Sequence, residues 1–311
     1  MALERVLVVG ASGLVGNALL RAWAARGTEV FSTTYEWPSS PLFRRLDMRD
    51  AAAVRGILEE FSPGLVALPA ANPHVDYCQT HPGETRLVNV AGSLNVARAC
   101  RERGVRMIFF SSDYVFDGRK GRYVEDDQPS PINEYGRQKA EVEAAVLSLD
   151  PRNLVIRTSA VYGWQWDPKN FALQVVSRLR AGEPMRVVSD VRYNPTYAEN
   201  LAEAVAGLAQ AGLGGIFHAV GSQTLARDEF ARRIADAFGL EARLIEPALS
   251  SEFASPTPRP KESSLATEKL RSAIGTPLWG VSEGLSHMVA FEPGWRDYAR
   301  GLPSPPGRSP A

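Results

Sequence analysis

Short, nearly unbroken apolar runs alternate with amphipathic helical stretches along the first half of the chain. This alternation predicts an α/β fold, a doubly wound parallel sheet with a smaller C-terminal α/β lobe. The first apolar run, residues 5–9, passes directly into a turn with glycines at positions 10, 13 and 16 and then into a helical pattern, the junction that opens such folds. Bulk composition agrees: of 311 residues, 44% are hydrophobic and 23% charged, which is enough apolar matter for one large core and carries no signature of disorder.

Taken in order, residues 5–9 read as a strand, 14–26 as a helix with apolar residues at helical spacing, 29–33 as a strand and 51–61 as a helix. Residues 64–68 form a strand, 84–103 one long helix, 106–111 a strand, 134–148 a helix and 154–157 a strand. Beyond Tyr162 the texture loosens. Helices at 170–181, 198–211 and 227–238 are separated by short strands at 185–188, 215–219 and 242–245. Serine and proline concentrate in 250–261 and predict a loop, while the four prolines in 302–311 predict a frayed tail. The expected division is a sheet domain over 1–162, a lobe over 163–300 partly interwoven with it, and a flexible tail over 301–311.

Charge restricts the partners. Lysine plus arginine number 35 and so do aspartate plus glutamate, so the chain lacks the basic excess with which proteins grip nucleic acid or an anionic membrane. Neither partner is expected. The apolar run at 6–9 is too short for a membrane span or a secretory signal, and Cys78 and Cys100 allow one disulfide at most, so the cytoplasm is the expected compartment.

The glycine turn fits a dinucleotide. Gly10 turns the chain out of the strand, Gly13 lets a pyrophosphate approach the backbone, and Gly16 lets helix and strand pack closely. Ser12, Leu14 and Val15 lie in the same loop, where a helix start offers N–H groups and the positive end of its dipole. At the end of the second strand an acidic residue would bind the ribose 2′-hydroxyl and repel a 2′-phosphate. Neutral Thr34 stands there instead, with Arg44 and Arg45 following. NADP(H) is favoured, and Glu36 leaves NAD(H) as the alternative.

Tyr135 and Lys139 lie four residues apart, on one face of a helix. An unperturbed tyrosine, with a pKa near ~10, exchanges protons poorly at neutral pH, and a nearby ammonium would lower that value. Upstream, the strand at 106–111 ends in Ser111 and Ser112, at the edge where open α/β sheets bind ligands. Ser112, Tyr135 and Lys139 are therefore the expected catalytic set.

With these residues in place the chain resembles an extended short-chain dehydrogenase, which uses this wider Gly-x-x-Gly-x-x-Gly spacing. More narrowly it resembles the dTDP-4-dehydrorhamnose reductase family, from residue 5 to about 288. The strings that carry the likeness are Ser-Ser-Asp-Tyr-Val-Phe-Asp-Gly at 111–118, Tyr-Gly-Arg-Gln-Lys at 135–139, Arg-Thr-Ser-Ala-Val-Tyr-Gly at 157–163, Asn-Pro-Thr-Tyr at 194–197 and Arg-Pro-Lys-Glu-Ser-Ser-Leu at 259–265.

The resemblance implies a Rossmann domain with a substrate lobe, and reduction of a 4-keto group on a nucleotide-linked 6-deoxy sugar by NADPH or NADH. It implies that Ser112 polarises the ketone, Tyr135 supplies the proton, and Lys139 tunes Tyr135 and binds ribose. Asp47 and Met48 would line the adenine pocket, and Ala70 and Ala71 would pass under the cofactor, with Asn89, Ser111 and Thr158 on the same side. Asn72, Ala160, Asn170 and Arg259 would meet the sugar nucleotide. Departures fall on the substrate side: Ala160 replaces a usual tryptophan, Glu262 a usual asparagine, and Val191-Arg-Tyr193 a different string; Ser112 replaces threonine but keeps the hydroxyl.

A related branch resembles the regulatory β subunit of methionine adenosyltransferase, so a non-catalytic NADP-binding subunit is one alternative. A sugar-nucleotide epimerase or dehydratase is another, less expected because Ser112 is followed by Asp113-Tyr114 and not by an acidic pair. A homodimer is compatible with either reading.

Other signals are weighed down. His74, Cys78 and His81 are too few for a closed zinc site, and no metal is expected. Trp164 and Trp166 fit a sugar site or the core equally. Residues 227–233 read as a solvated helix face.

Overall fold

A computed structural model describes residues 4–37, 39–167, 169–275 and 278–302. Its centre is built from β1 (Arg5–Val9), β2 (Glu29–Thr34), β3 (Arg44–Arg45), β4 (Leu65–Leu68), β5 (Arg106–Ser112) and β6 (Leu154–Thr158). The chain then forms short strands β7 (Val161–Tyr162), β8 (Met185–Val188), β9 (Arg192–Tyr193) and β10 (Thr196–Tyr197) before β11 (Gly215–His218) returns to the centre. The seven central strands run parallel in the order β3-β2-β1-β4-β5-β6-β11. Strand order reverses between β1 and β4, the place where such sheets bind ligands beyond their carboxyl ends.

Alternation along each strand sorts the core into two layers. Val6, Val8, Leu65, Ala67, Ile108, Phe110, Leu154 and Ile156 pack against α1 (Leu14–Ala24) and, later in the chain, Leu201 and Val205. Leu7, Val9, Val66, Leu68, Met107, Phe109 and Val155 pack against α2 (Ala51–Phe61), then α3 (Val75–Thr80) and α4 (Pro82–Arg86) intervene, and the layer resumes with α5 (Ser93–Glu102) and α6 (Glu134–Leu149). Burying each large apolar side chain contributes roughly 1.5–3 kcal/mol. Local signals fix the helix starts: the Asp50 carboxylate accepts from Ala52 N and Ala53 N at 2.9 and 3.1 Å, and Asn133 accepts from Gly136 N at 2.9 Å.

The second half supplies α7 (Phe171–Arg180), α8 (Ala198–Gln210), β12 (Leu225–Ala226), α9 (Arg227–Ala237), β13 (Ile245–Ala248), α10 (Glu268–Ile274) and α11 (Val281–Arg300). Its small pairings are β8 with β13 and β7 with β10, both parallel, and β9 with β12, antiparallel. Among the described residues, no helix is long and apolar enough to cross a membrane.

Several expectations change. The single helix at 84–103 is α4, a π-helical stretch Leu87–Gly92 and α5, with Asn89 inside the wide turn, whose carboxamide is drawn to the backbone of Asn72. The strand at 242–245 is a 3₁₀ turn over Ala242–Leu244, and pairing starts only at Ile245. The loop at 250–261 opens with a 3₁₀ turn, Ser250–Glu252. Of the tail at 302–311, Leu302 is buried in the core, and residues 303–311 lie outside the described residues.

Candidate active site

The glycine turn sits at the carboxyl end of β1. Gly10 has φ +93°, and both Gly10 N and Ala11 N donate to Thr33 O, at 3.0 and 2.8 Å. A Cβ on Gly10 would lie 2.7 Å from Ala70 Cβ, and one on Gly16 would collide with the Gly10 carbonyl. Gly13 is the N-cap of α1 with no side-chain cap, so the helix start is left open to an anion. Ser12 and Thr34 share a hydroxyl hydrogen bond of 2.8 Å across the turn.

Two buried hydroxyls at neighbouring strand ends, Ser111 Oγ and Thr158 Oγ1, have no hydrogen-bond partner. Buried polar atoms are rarely left so. An open helix start and orphaned hydroxyls at the strand ends together fit a dinucleotide.

The basic residues near β2 divide. Arg44 pairs with Glu60 at 3.0 Å, whereas Arg45 and Arg49 lie 5.9 and 5.4 Å from the Tyr35 ring centre. Asp47 is clamped by Arg49 at 2.6 Å, and this bond holds its carboxyl below the ordinary range. The Met48 carbonyl accepts from Asn95 Nδ2 at 3.1 Å. Ala70 and Ala71 are half-buried after β4. Asn89 accepts from Asn72 N at 2.7 Å, donates to Asn72 O at 3.1 Å and reaches Gln138 Oε1 at 2.8 Å. It therefore holds the segment after β4 onto α6.

Ser112 ends β5, and Tyr135 and Lys139 lie on α6. Lys139 is buried, with Nζ donating to Phe110 O at 2.7 Å and lying 5.7 Å from the Tyr135 ring centre. Burial lowers the Lys139 ammonium to about 8, with Glu143 pulling the other way. Burial and then the Asp113 carboxylate push the Tyr135 phenol upward, against its hydrogen bond with Ser112. The expected lowering of Tyr135 by Lys139 does not outweigh these effects, because desolvation acts on the phenolate and the ammonium alike.

Ser112, Tyr135, Asp113, Tyr114, Ala160 and Arg227 are among the residues lining one cleft of about 220 Å³. A larger hollow of about 430 Å³ lies between the C-terminal ends of α1 and α8, at the opposite edge of the sheet from this chemistry. Ala160 is exposed in the left-handed region, φ +42°, and offers no ring. Trp164 and Trp166 do not replace it. Both are buried, Trp164 donating to Met288 O at 2.7 Å and Trp166 packing edge-on to Trp37, which decides for the core. Aromatic wall comes from Phe171, which the sequence did not single out, and from Tyr193, the last residue of the departing string 191–193.

Of the other expected substrate residues, Asn170 also lines this cleft, while its carboxamide, like the side chains of Asn72 and Arg259, has partners within the chain. The Asn170 carboxamide caps α7 through Leu173 N at 3.2 Å and donates to Gly163 O at 3.0 Å, while the Asn72 side chain closes a turn with His74 N at 3.1 Å. Arg259 pairs with Asp76 at 2.9 Å. Glu262 and Arg192, both departures, lie side by side at 3.4 Å across a β-bridge.

Asp113 was read only as the absence of an acidic pair. In the fold it is buried and accepts from three serines: Ser112 at 2.9 Å, Ser159 at 2.8 Å and Ser263 at 2.6 Å. No local signal marks this, because its partners come from distant segments. Arg227, expected on a solvated face, lines the cleft instead: it opens α9 and is held over the Phe171 ring. Cys78 and Cys100 are both free and buried, and His81 stacks on Tyr77 at 4.2 Å.

Comparison with known proteins follows the same lines. The family model described as the RmlD substrate binding domain matches residues 4–292. The dTDP-4-dehydrorhamnose reductase of Mycobacterium tuberculosis is 33% identical over 97% of this chain and 97% of its own length. The methionine adenosyltransferase 2 subunit beta of Xenopus tropicalis is 31% identical over 91% of this chain and 87% of its own. The crystal structure of dTDP-4-dehydrorhamnose reductase from Bacillus anthracis in complex with NADP superposes with a TM-score of 0.86 at 26% identity, covering 93% of this chain and 99% of that one. On motifs, fold and near full-length match together, this chain belongs to the dTDP-4-dehydrorhamnose reductase family.

Proposed function

We propose that the chain reduces the 4-keto group of a nucleotide-linked 6-deoxy sugar, with NADPH as its cofactor. The observation that carries this reading is that Ser112, Tyr135 and the glycine turn share the carboxyl edge of one sheet, with Lys139 buried behind Tyr135. NADPH, when bound, supplies the hydride. The rest falls to side chains. Tyr135, kept protonated by burial, delivers a proton to the carbonyl oxygen as negative charge gathers there. Ser112, whose own proton goes to Asp113, accepts from the phenol and orients it toward that oxygen. Lys139, charged below about pH 8, compensates the phenolate that remains. Neutral Thr34, with Arg45 and Arg49 about Tyr35, favours the 2′-phosphate of NADPH over NADH, and the similar Bacillus anthracis structure holds NADP.

The cytoplasm is the proposed compartment, in keeping with two free cysteines. Assembly as a homodimer belongs to the same proposal and is read out by sedimentation.

In Tyr135→Phe, oxidation of NADPH by dTDP-4-keto-6-deoxy sugar is expected to fall ~10²–10⁴-fold, with NADPH affinity little changed. Unchanged turnover would remove Tyr135 from the mechanism. Tight NADPH binding by the native chain without oxidation by any keto sugar nucleotide would instead favour the regulatory-subunit reading.

A further inference from the structure

Arg227 lines the cleft that holds Ser112 and Tyr135. Its guanidinium carbon lies 4.1 Å from the Phe171 ring centre, a stacked position that fixes the side chain. The arginines around it are neutralised: Arg259 by Asp76, and Arg192 by Glu229 and Glu262. Among the described residues, no carboxylate forms an ion pair with Arg227. A cation in the first turn of a helix also opposes the helix dipole, so local folding does not explain it there. Tyr114, on the cleft wall, feels the Asp113 carboxylate first among charges, and then Arg259, Arg227 and Asp76, so Arg227 faces the same cleft without pairing to its buried carboxylate.

We propose that Arg227, held on Phe171, binds the diphosphate of the sugar nucleotide and so delivers the keto carbon to Ser112 and Tyr135. This assignment rests on the reductase reading above. A guanidinium fork matches phosphate oxygens two at a time, and holding it in place beforehand lowers the entropy lost on binding. The cofactor's own pyrophosphate is served separately, by the turn from Gly10 to Gly16.

Calorimetric titration of the full chain saturated with NADP⁺ tests this, with dTDP, UDP and GDP as probes and the matching nucleosides as controls. The best diphosphate is expected to bind Arg227→Gln roughly tenfold to hundredfold more weakly than the native chain, with Arg227→Lys in between. Affinity for the nucleoside should stay the same, and retained NADP⁺ binding shows that the variant is folded. Diphosphate affinity in Arg227→Gln within about twofold of native, or no diphosphate binding to the native chain, overturns the proposal. Were Arg227→Gln to lose NADP⁺ binding as well, Arg227→Lys decides: a severalfold loss supports the site and an unchanged affinity overturns it. Arg227-dependent diphosphate binding without NADPH oxidation by any 4-keto sugar nucleotide would leave this site standing and remove only the reaction.

Discussion

A serine hydroxyl has one proton to give, and in this fold Ser112 gives it to Asp113 while accepting from Tyr114 N at 3.2 Å. What remains free is a lone pair, which suits Ser112 to receive and orient the Tyr135 hydroxyl before it meets a carbonyl. Asp113 sets this direction, and Ser159 and Ser263 fix Asp113 in turn. Burial pushes the Asp113 carboxyl upward against these three hydroxyl bonds. In Asp113→Asn, half of an acceptor-only group becomes a donor, and at least one serine must turn away. We expect kcat to fall about tenfold or more and Tm to drop, on the scale of one buried charge-assisted bond, ~1.5–3 kcal/mol, with NADPH affinity retained. Steady-state rates and thermal melts decide: a lowered Tm with native kcat would make Asp113 a staple between segments and nothing more. The neighbouring departures read differently once folded. Glu262 and Arg192 look like two separate changes in sequence, but they form one ion pair.

The central strands β1, β4, β5 and β6 were legible to within about a residue because each is a closed apolar run, largely buried on both faces, whereas the two-residue strands β3, β7, β9, β10 and β12 carry no such run, and β13 begins three residues after its expected start. Helices were legible where periodicity and a cap coincide, as at α2 behind Asp50. α11 escaped because Pro293 and the glycines at 284 and 294 interrupt its 20-residue pattern, which packing against α9 restores. Asp113 and Arg227 escaped because a chain read in order does not show which distant hydroxyls or rings will surround a side chain. His218, which ends β11, is a similar case. It is wholly buried, 3.4 Å from Arg157 Nη1, beside the Arg157–Glu143 ion pair of 2.8 Å. Burial and then the Arg157 charge lower it from 6.5 to about 3. Between those values the unfolded chain binds a proton that the folded chain refuses. This contribution to stability is therefore complete above 6.5 and is lost as pH falls toward 3. His218→Gln, which does not titrate, should lose less Tm than the native chain between about pH 7 and about pH 5. Equal losses in the two proteins would place the acid sensitivity elsewhere.

At the scale of the molecule, the expected boundary near Tyr162 divides the sequence more cleanly than the structure. β11 and α8 come from the second half yet complete the central sheet: β11 pairs with β6 from Gly215↔Leu154 to His218↔Arg157, and Ala219 N bonds Arg157 O at 2.9 Å. α8 covers the same sheet face as α1, and Arg21 on α1 is paired with Glu199 on α8. One buried cluster runs from Val6 and Trp23 through Leu201 and Phe230 to Trp295. A fragment of residues 1–162 would therefore expose β6 as an open edge, with Leu154, Val155 and Ile156 no longer wholly enclosed, and uncover the face of α1 that α8 protects. We expect that fragment to aggregate or to bind NADP⁺ without measurable affinity. The full chain should melt in a single transition whose calorimetric and van't Hoff enthalpies agree. A soluble 1–162 fragment that keeps the cofactor affinity of the whole chain, or two resolved transitions in the scan, would mean that the glycine-turn half folds alone. The second half would then act as a substrate lid added to a finished domain, and Asp113, which needs Ser263 from that half, would be ordered only when the lid is in place.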